Sequence, residues 1–179
     1  MDRKKEKSLL GEVIDILVTF GCTFLVVWLI VTYLFTPVRV LGQSMFPGLK
    51  DGDFGFTNTI ARNTVGVQRG DIVIVYLDDQ NTYLIKRLIG LPGDTVEMKD
   101  SVLYVNGEAV AEDYLDSEYA AQFGDAFFSD IEEVQLDQNE YYVLGDNRIN
   151  SRDSRYYGPF SGEQIRAKAV FIVFPPADF

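Results

Sequence analysis

A serine in a short turn-like stretch, Gly-Gln-Ser-Met-Phe-Pro at residues 42–47, is the first candidate for chemistry. The chain of 179 residues contains no histidine, which is the usual base of a nucleophilic serine. If Ser44 is a nucleophile, its proton must therefore go to another group, and lysine is the leading candidate. Taken alone, the Ser-Met-x-Pro pattern is more often a plain loop than an active site.

Lys86 is the candidate base, and it lies in the apolar residues 83–89. The side-chain period of a strand places it on the same face as Leu84 and Leu88. Burial there would disfavour the ammonium and lower the pKa enough for the amine to accept a proton near neutral pH. The opposite face, with Arg87, is equally apolar, so the pattern leaves open which cation points inward. A strand with two snorkelling cations is the alternative.

A dense polar stretch, residues 145–155, directly follows the apolar residues 141–144. Gly, Asn, Asp and Ser are typical of a surface turn. The density of Arg and Asp also suits a rigid polar support for a site.

An uncharged run of 20 residues at positions 16–35 predicts a membrane span, because a helix of that length is about 30 Å long. Four Lys or Arg within the first seven residues put the N-terminus in the cytoplasm by the positive-inside rule. A cleaved secretory signal is the alternative. We predict a single-pass cell-membrane protein with residues 1–12 cytoplasmic, an anchor at 13–36 and an extracytoplasmic domain at 37–179.

Short apolar runs broken by Gly, Asn and Asp predict strands after residue 37. The hairpin signal Asn106-Gly107 joins two of them, because a type I′ turn needs positive φ at both positions. No long helical periodicity recurs, so the predicted fold is mainly β, with a transmembrane helix followed by a β-rich extracytoplasmic domain. The predicted strands cover residues 38–41, 54–57, 72–77, 83–89, 95–98, 102–105, 108–111, 141–144 and 169–174.

The net charge of −11 argues against a nucleic-acid surface. With Cys22 as the only cysteine and no histidine, we predict no disulfide and no metal. Residues 112–140 contain no Lys or Arg and hold much of the negative charge. We interpret them as a solvated, partly irregular excursion within a smaller insertion at about 100–140, with a specific cation or partner site as the alternative.

Three separated motifs in this order resemble those of bacterial type I signal peptidases, in the single-anchor form typical of Gram-positive bacteria. The resemblance covers nearly the whole chain and implies a catalytic β-rich domain with a Ser/Lys dyad and no cofactor. It implies a membrane-bound serine endopeptidase that removes signal peptides from exported preproteins after an Ala-x-Ala motif. The motifs are residues 42–47, Lys86-Arg87 with the following Gly90-Leu91-Pro92-Gly93-Asp94, and Gly145-Asp146-Asn147 through Ser151-x-Asp153-Ser154.

The resemblance assigns catalytic roles residue by residue. Ser44 would attack the scissile carbonyl, and Lys86 would act as the general base and then protonate the leaving amine. Ser151 would orient Lys86 by hydrogen bonding, and Asp153 and Arg155 would buttress Ser151.

The same resemblance gives supporting roles to Asp146, Asn147 and Arg148. One oxyanion donor would be the Ser44 backbone N–H, worth on the order of 3 kcal/mol. Some members carry a serine where this chain has Gly42, so the second donor, expected from the Gly42 region, stays open.

An extended cleavage segment could add as a strand beside residues 38–43 and 83–86. Met45 and Phe46 either dip into the membrane interface or pack in the core. The expected partners are exported preproteins and the lipid bilayer, with the secretion machinery as a further candidate. The predicted substrate-binding residues are Val40, Leu41, Gln43, Tyr83, Leu84 and Ile85.

Two other functions fit parts of the pattern. A self-cleaving repressor of the Ser/Lys type is disfavoured by the anchor and by the missing DNA-binding segment. A non-catalytic membrane-anchored module that binds exported or pilus proteins is disfavoured by the presence of both Ser44 and Lys86.

Overall fold

The computed structural model describes residues 9–58 and 66–174 of the chain. An N-terminal helix spans Leu9–Leu34 and leads directly into the first strand. Its segment Gly11–Leu29 is long and apolar enough to cross a membrane, and none of it is buried against the rest of the protein. This helix therefore fits the predicted span in length and exposure.

Seven strands form the larger sheet, in which every neighbouring pair is antiparallel. The strands are β1 (Phe35–Arg39), β2 (Phe54–Asn58), β3 (Ile72–Leu77), β4 (Thr82–Gly90), β9 (Glu140–Leu144), β10 (Phe160–Ser161) and β11 (Ile165–Phe174). Their spatial order is β1-β2-β11-β3-β4-β9-β10.

A smaller antiparallel sheet has the order β7-β6-β5-β8. Asn106 and Gly107 both have positive φ in the turn that joins Val102–Val105 to Glu108–Val110, so the predicted hairpin is present. A one-turn helix at Ser117–Ala121 precedes its last strand. The strands are β5 (Thr95–Lys99), β6 (Val102–Val105), β7 (Glu108–Val110) and β8 (Ile131–Gln135).

Strand β9 is shared between the two cores of the domain. Val143 packs with strands of the larger sheet, whereas Tyr142 and Leu144 pack with the smaller one, as the alternation of a strand requires. The two sheets approach closely at Gly90, where an added Cβ would lie 2.6 Å from Leu136 Cδ1. This shared strand fixes the polar loop that follows β9 to both sheets.

The predicted mainly β fold with an N-terminal helix is confirmed, and one local prediction is wrong. The strand expected at 38–41 ends at Arg39 instead, because the chain turns away at Gly42, whose φ is +87°. The acidic stretch is partly irregular, but it also contains β8, which pairs with β5 and was not predicted. The short strand β10 was not predicted.

Candidate active site

A hydrogen bond joins the two residues singled out as nucleophile and base, with Lys86 Nζ 2.6 Å from Ser44 Oγ. Strand β4 carries Lys86, which is only 2% exposed, and Ser44 lies in the turn after β1. Arg87 points to the other side of the strand. Both cations are therefore largely buried, but only Lys86 contacts the serine.

The surroundings of Lys86 lower its pKa to about 8. Burial is the largest cause, because it disfavours the charged ammonium. The negative charge of Asp153 opposes the shift, the positive charge of Arg155 adds to it, and Asp146 opposes it again. A substantial fraction of the amine is consequently neutral just above neutral pH and able to accept a proton.

Asn147 holds the backbone of the serine turn. Its backbone N–H donates to Ser44 O at 3.1 Å, and its side-chain Nδ2 donates to Gln43 O at 3.0 Å. On the other side of the turn, the N–H of Gly42 donates to Asp51 Oδ1 at 2.8 Å. With a φ of +87°, this position favours glycine. The Ser44 N–H has no hydrogen-bond partner among the described residues, so it is free to donate to a substrate.

The two residues after Ser44 pack inside the protein. Met45 is 1% exposed and joins Val40 and Leu49 in a small core cluster. Phe46 is half-buried and meets the ring of Tyr119 edge to face, with centroids 5.0 Å apart. Core packing, rather than insertion into the membrane interface, is therefore the role of Met45.

Asp153 organises the end of the polar loop. Its fully buried carboxylate accepts hydrogen bonds from Arg155 Nε at 2.9 Å, Arg155 Nη2 at 2.8 Å and the Gly145 N–H at 2.9 Å. Burial opposes ionisation, but the hydrogen bonds and charge of Arg155 hold the pKa of Asp153 below its usual range. The loop consequently keeps a negative charge facing Lys86.

Ser151 packs against Gly145, where an added Cβ would lie 2.1 Å from Ser151 Oγ and 2.4 Å from Ser44 O. Ser151 lies near Asp153 and favours its charged form. Its Oγ nevertheless has no hydrogen bond to any described residue, so the expected hydrogen bond to Lys86 is not formed here. Its orienting role stays a prediction.

Arg87 is a site residue to which the sequence reasoning gave no role. Its Nε and Nη2 donate to the two carboxylate oxygens of Asp146 at 2.7 and 2.6 Å, and Nη1 donates to Gly70 O at 2.7 Å. Such a two-point pair fixes both side chains in one plane. The sequence did carry a signal for such a role, because Arg87 is the neighbour of Lys86 in a predicted strand.

A groove of about 540 Å³ leads to Ser44 and Lys86. Strands β1 and β4 form its sides, and its mostly apolar lining includes Thr57 and Ala167. Five of the six predicted substrate-binding residues line the groove, namely Val40, Leu41, Tyr83, Leu84 and Ile85; Gln43 does not. Among the described residues, no cluster of acidic or cysteine side chains is arranged to hold a metal ion.

A mainly β domain with a serine hydroxyl against a buried lysine, beside an apolar groove, defines a serine hydrolase of the Ser/Lys type. The family model described as signal peptidase, peptidase S26, matches residues 13–174. The chain belongs to this family.

Named relatives cover most of the chain. Signal peptidase I P of Bacillus subtilis subsp. natto is 40% identical over 177 residues, which cover 96% of this chain and 92% of the relative. Signal peptidase IB of Staphylococcus aureus (strain COL) is 32% identical over 178 residues, covering 94% and 93%. The crystal structure of a signal peptidase I from Enterococcus faecalis V583 matches with a TM-score of 0.53 and 34% identity, covering 57% of this chain and 95% of that one.

Proposed function

We propose that this protein is a membrane-bound serine endopeptidase that removes signal peptides from exported preproteins, with Ser44 as nucleophile and Lys86 as general base. The observation that carries the proposal is the 2.6 Å contact between Lys86 Nζ and Ser44 Oγ. Membership of the signal peptidase family and the similarity to named signal peptidases supply the substrate class.

The reaction follows from the geometry of this pair. Neutral Lys86 takes the Ser44 proton while Oγ attacks the scissile carbonyl, and the resulting ammonium then protonates the leaving amine. A water molecule activated by the same amine hydrolyses the acyl-enzyme and frees Ser44. Asp153 favours the transient ammonium through its negative charge.

The developing oxyanion requires hydrogen-bond donors beside Ser44. The free N–H of Ser44 supplies one donor. The N–H of Gly42 is already bonded to Asp51, so a second donor from that position would need to leave its partner. We therefore assign one donor to the chain as it stands.

The substrate would lie extended in the groove between β1 and β4, where backbone pairing gives affinity and the small lining residues Thr57 and Ala167 favour small side chains. We place the N-terminus in the cytoplasm and the peptidase domain outside, because cations precede the span. The site then meets the cleavage segment where it emerges from the bilayer. Contact with the secretion machinery stays a prediction of the sequence.

The test is cleavage of a preprotein carrying Ala-x-Ala by the purified full-length protein in detergent. Ser44→Ala and Lys86→Ala should each lower kcat by at least about 10³-fold, since removing one member of a catalytic triad costs about 10⁴- to 10⁶-fold in other serine hydrolases. Ser129→Ala and Lys99→Ala, at exposed positions, are the matched controls.

Equal activity in all these proteins would refute the assignment of Ser44 and Lys86. Binding of the preprotein without cleavage by any of them, including the wild type, would instead favour the non-catalytic binding module.

A further inference from the structure

The acidic segment begins with a carboxylate that is not solvated. Glu112 binds the guanidinium of Arg148 with both oxygens, through Nη1 at 3.1 Å and through a second bond from Nη2. The Arg148 side chain is 1% exposed and that of Glu112 is 10% exposed. The pair is thus an internal part of the protein, unlike most of the acids that follow it in the segment, which are exposed.

Tyr114 extends this contact to a second buried arginine. Its hydroxyl donates to Glu112 Oε1 at 2.6 Å, and the guanidinium carbon of Arg87 lies 4.0 Å from the centre of its ring. Burial and then the charge of Glu112 raise the pKa of Tyr114 well above its usual range, so the hydroxyl stays a donor. Together, Glu112 and Tyr114 therefore contact Arg148 within the polar loop and Arg87 on β4.

These arginines lead directly to the backbone around the nucleophile. Arg148 Nε donates to Gly145 O at 3.1 Å, and Arg148 O accepts a bond from Arg155 Nη1 at 2.7 Å. Between these anchors lies Asn147, whose N–H holds Ser44 O. A movement of Arg148 would be transmitted to the serine turn through one peptide unit.

We propose that Glu112 and Tyr114 are positioning residues for the reaction, because they hold Arg148 and Arg87 and thereby the loop that fixes Ser44 against Lys86. The inference rests on the proposed roles of Ser44 and Lys86. A buried guanidinium that loses its carboxylate becomes an uncompensated buried charge, which strongly destabilises its surroundings. Misplacement of a reacting group by about 1 Å can cost about 10²-fold in rate.

The test compares Glu112→Gln with Asp113→Asn in the full-length protein. Both variants remove one negative charge at neighbouring positions, but Asp113 is exposed. Glu112→Gln should lower kcat by about 10- to 100-fold with KM unchanged, because Glu112 does not line the groove. Asp113→Asn should leave both constants unchanged. The assays are run well below the Tm of each variant, so that only folded protein contributes.

Equal kcat values for Glu112→Gln and Asp113→Asn would overturn the proposal, as would a rise in KM without a fall in kcat. If Glu112→Gln does not fold, Tyr114→Phe decides, because it removes only the hydroxyl that donates to Glu112. It should lower kcat several-fold, about the effect of one lost hydrogen bond, and an unchanged kcat would refute the inference.

Ser44→Ala is measured in the same assay. Wild-type activity in that variant would refute the proposed nucleophile, a result separate from any effect at Glu112.

Discussion

Lys86 and Arg87 are neighbours on β4, yet their side chains enter opposite environments. Lys86 faces the groove and contacts a neutral hydroxyl, and no described carboxylate forms an ion pair with it. Arg87 faces the polar loop, where Asp146, the Gly70 carbonyl and the Tyr114 ring saturate its guanidinium. One side of the strand is poor in compensating charge and the other is rich in it.

The difference shows how one strand can provide both a base and a structural cation. Burial without a direct counter-ion lowers the pKa of Lys86 to about 8, so its charge can change during a reaction. A guanidinium is not deprotonated in proteins, and a two-point carboxylate partner fixes its position as well. Four changes to these two sides would break or sharpen the comparison.

Lys86→Arg has the largest expected effect, because it places a permanently charged guanidinium on the groove side of β4, as Arg87 does on the opposite side. Loss of the general base should lower kcat by about 10²- to 10⁴-fold. The measurement is the initial rate of preprotein cleavage. Lys168→Arg, which keeps an ion pair with Asp71, is the matched control. Near-normal activity of Lys86→Arg would contradict a neutral amine in the reaction.

Arg87→Met tests the charge-rich side by leaving Asp146 buried without its partner. The free energy of unfolding should fall by about 3–5 kcal/mol, as for other broken buried pairs. Urea unfolding at pH 7 measures it. Arg152→Met, at an exposed position, should change the same quantity by less than about 0.5 kcal/mol. Similar losses of unfolding free energy in Arg87→Met and Arg152→Met would show that the Arg87–Asp146 pair contributes no more to stability than an exposed arginine.

Lys86→Met should stabilise the protein near neutral pH. The folded-state pKa of about 8 lies below the ordinary 10.5, so the unfolded chain binds more protons between these values and wild-type stability rises with pH across that window. Below pH 8 the full penalty applies, and its removal should raise the free energy of unfolding by about 1–3 kcal/mol, after the lost Ser44 contact is subtracted.

Thermal or urea unfolding at pH 7 and pH 10.5 measures this effect. The gain from Lys86→Met should shrink at the higher pH. A gain that is independent of pH would mean that the charge of Lys86 is not its cause.

Asp146→Asn should have the smallest effect on the reaction itself, although it removes the carboxylate that binds Arg87 and should also destabilise the fold. Activity of the wild type should rise with pH through a midpoint near 8, because only neutral Lys86 accepts the proton. Asp146 raises the pKa of Lys86, so its neutralisation should move this midpoint to lower pH by less than about one unit. The pH dependence of kcat/KM measures it, with Asp79→Asn as the exposed control. A shift to higher pH would have the wrong sign.

The sequence was sufficient for most of the strands and for the two residues in contact at the site. It could not decide between Lys86 and Arg87, because β4 is a central strand between β3 and β9 and is apolar on both faces. Strand β8 escaped prediction because it lies at a sheet edge with Glu132 and Glu133 exposed, which hides its alternation.

Contacts between distant parts of the chain were also beyond the sequence. The bond from Asn147 Nδ2 to Gln43 O joins residues 104 positions apart, and the pairing of Glu112 with Arg148 spans 36 positions. No local pattern encodes such a partner, so the acidic segment was interpreted from its charge alone. Glu112, the first carboxylate of the segment, is buried because it pairs with Arg148 in the polar loop.

Ser44 follows Leu34, the last residue of the N-terminal helix, by ten residues. Ten residues span at most about 35 Å, so the nucleophile is confined to a thin layer beside the bilayer. On the proposed topology, a preprotein held by its own signal peptide would occupy the same layer, and short tethers raise effective concentration to about the millimolar range. On that proposal the groove would need to bind only weakly, and a soluble peptide without a membrane segment should show a higher KM than the intact preprotein.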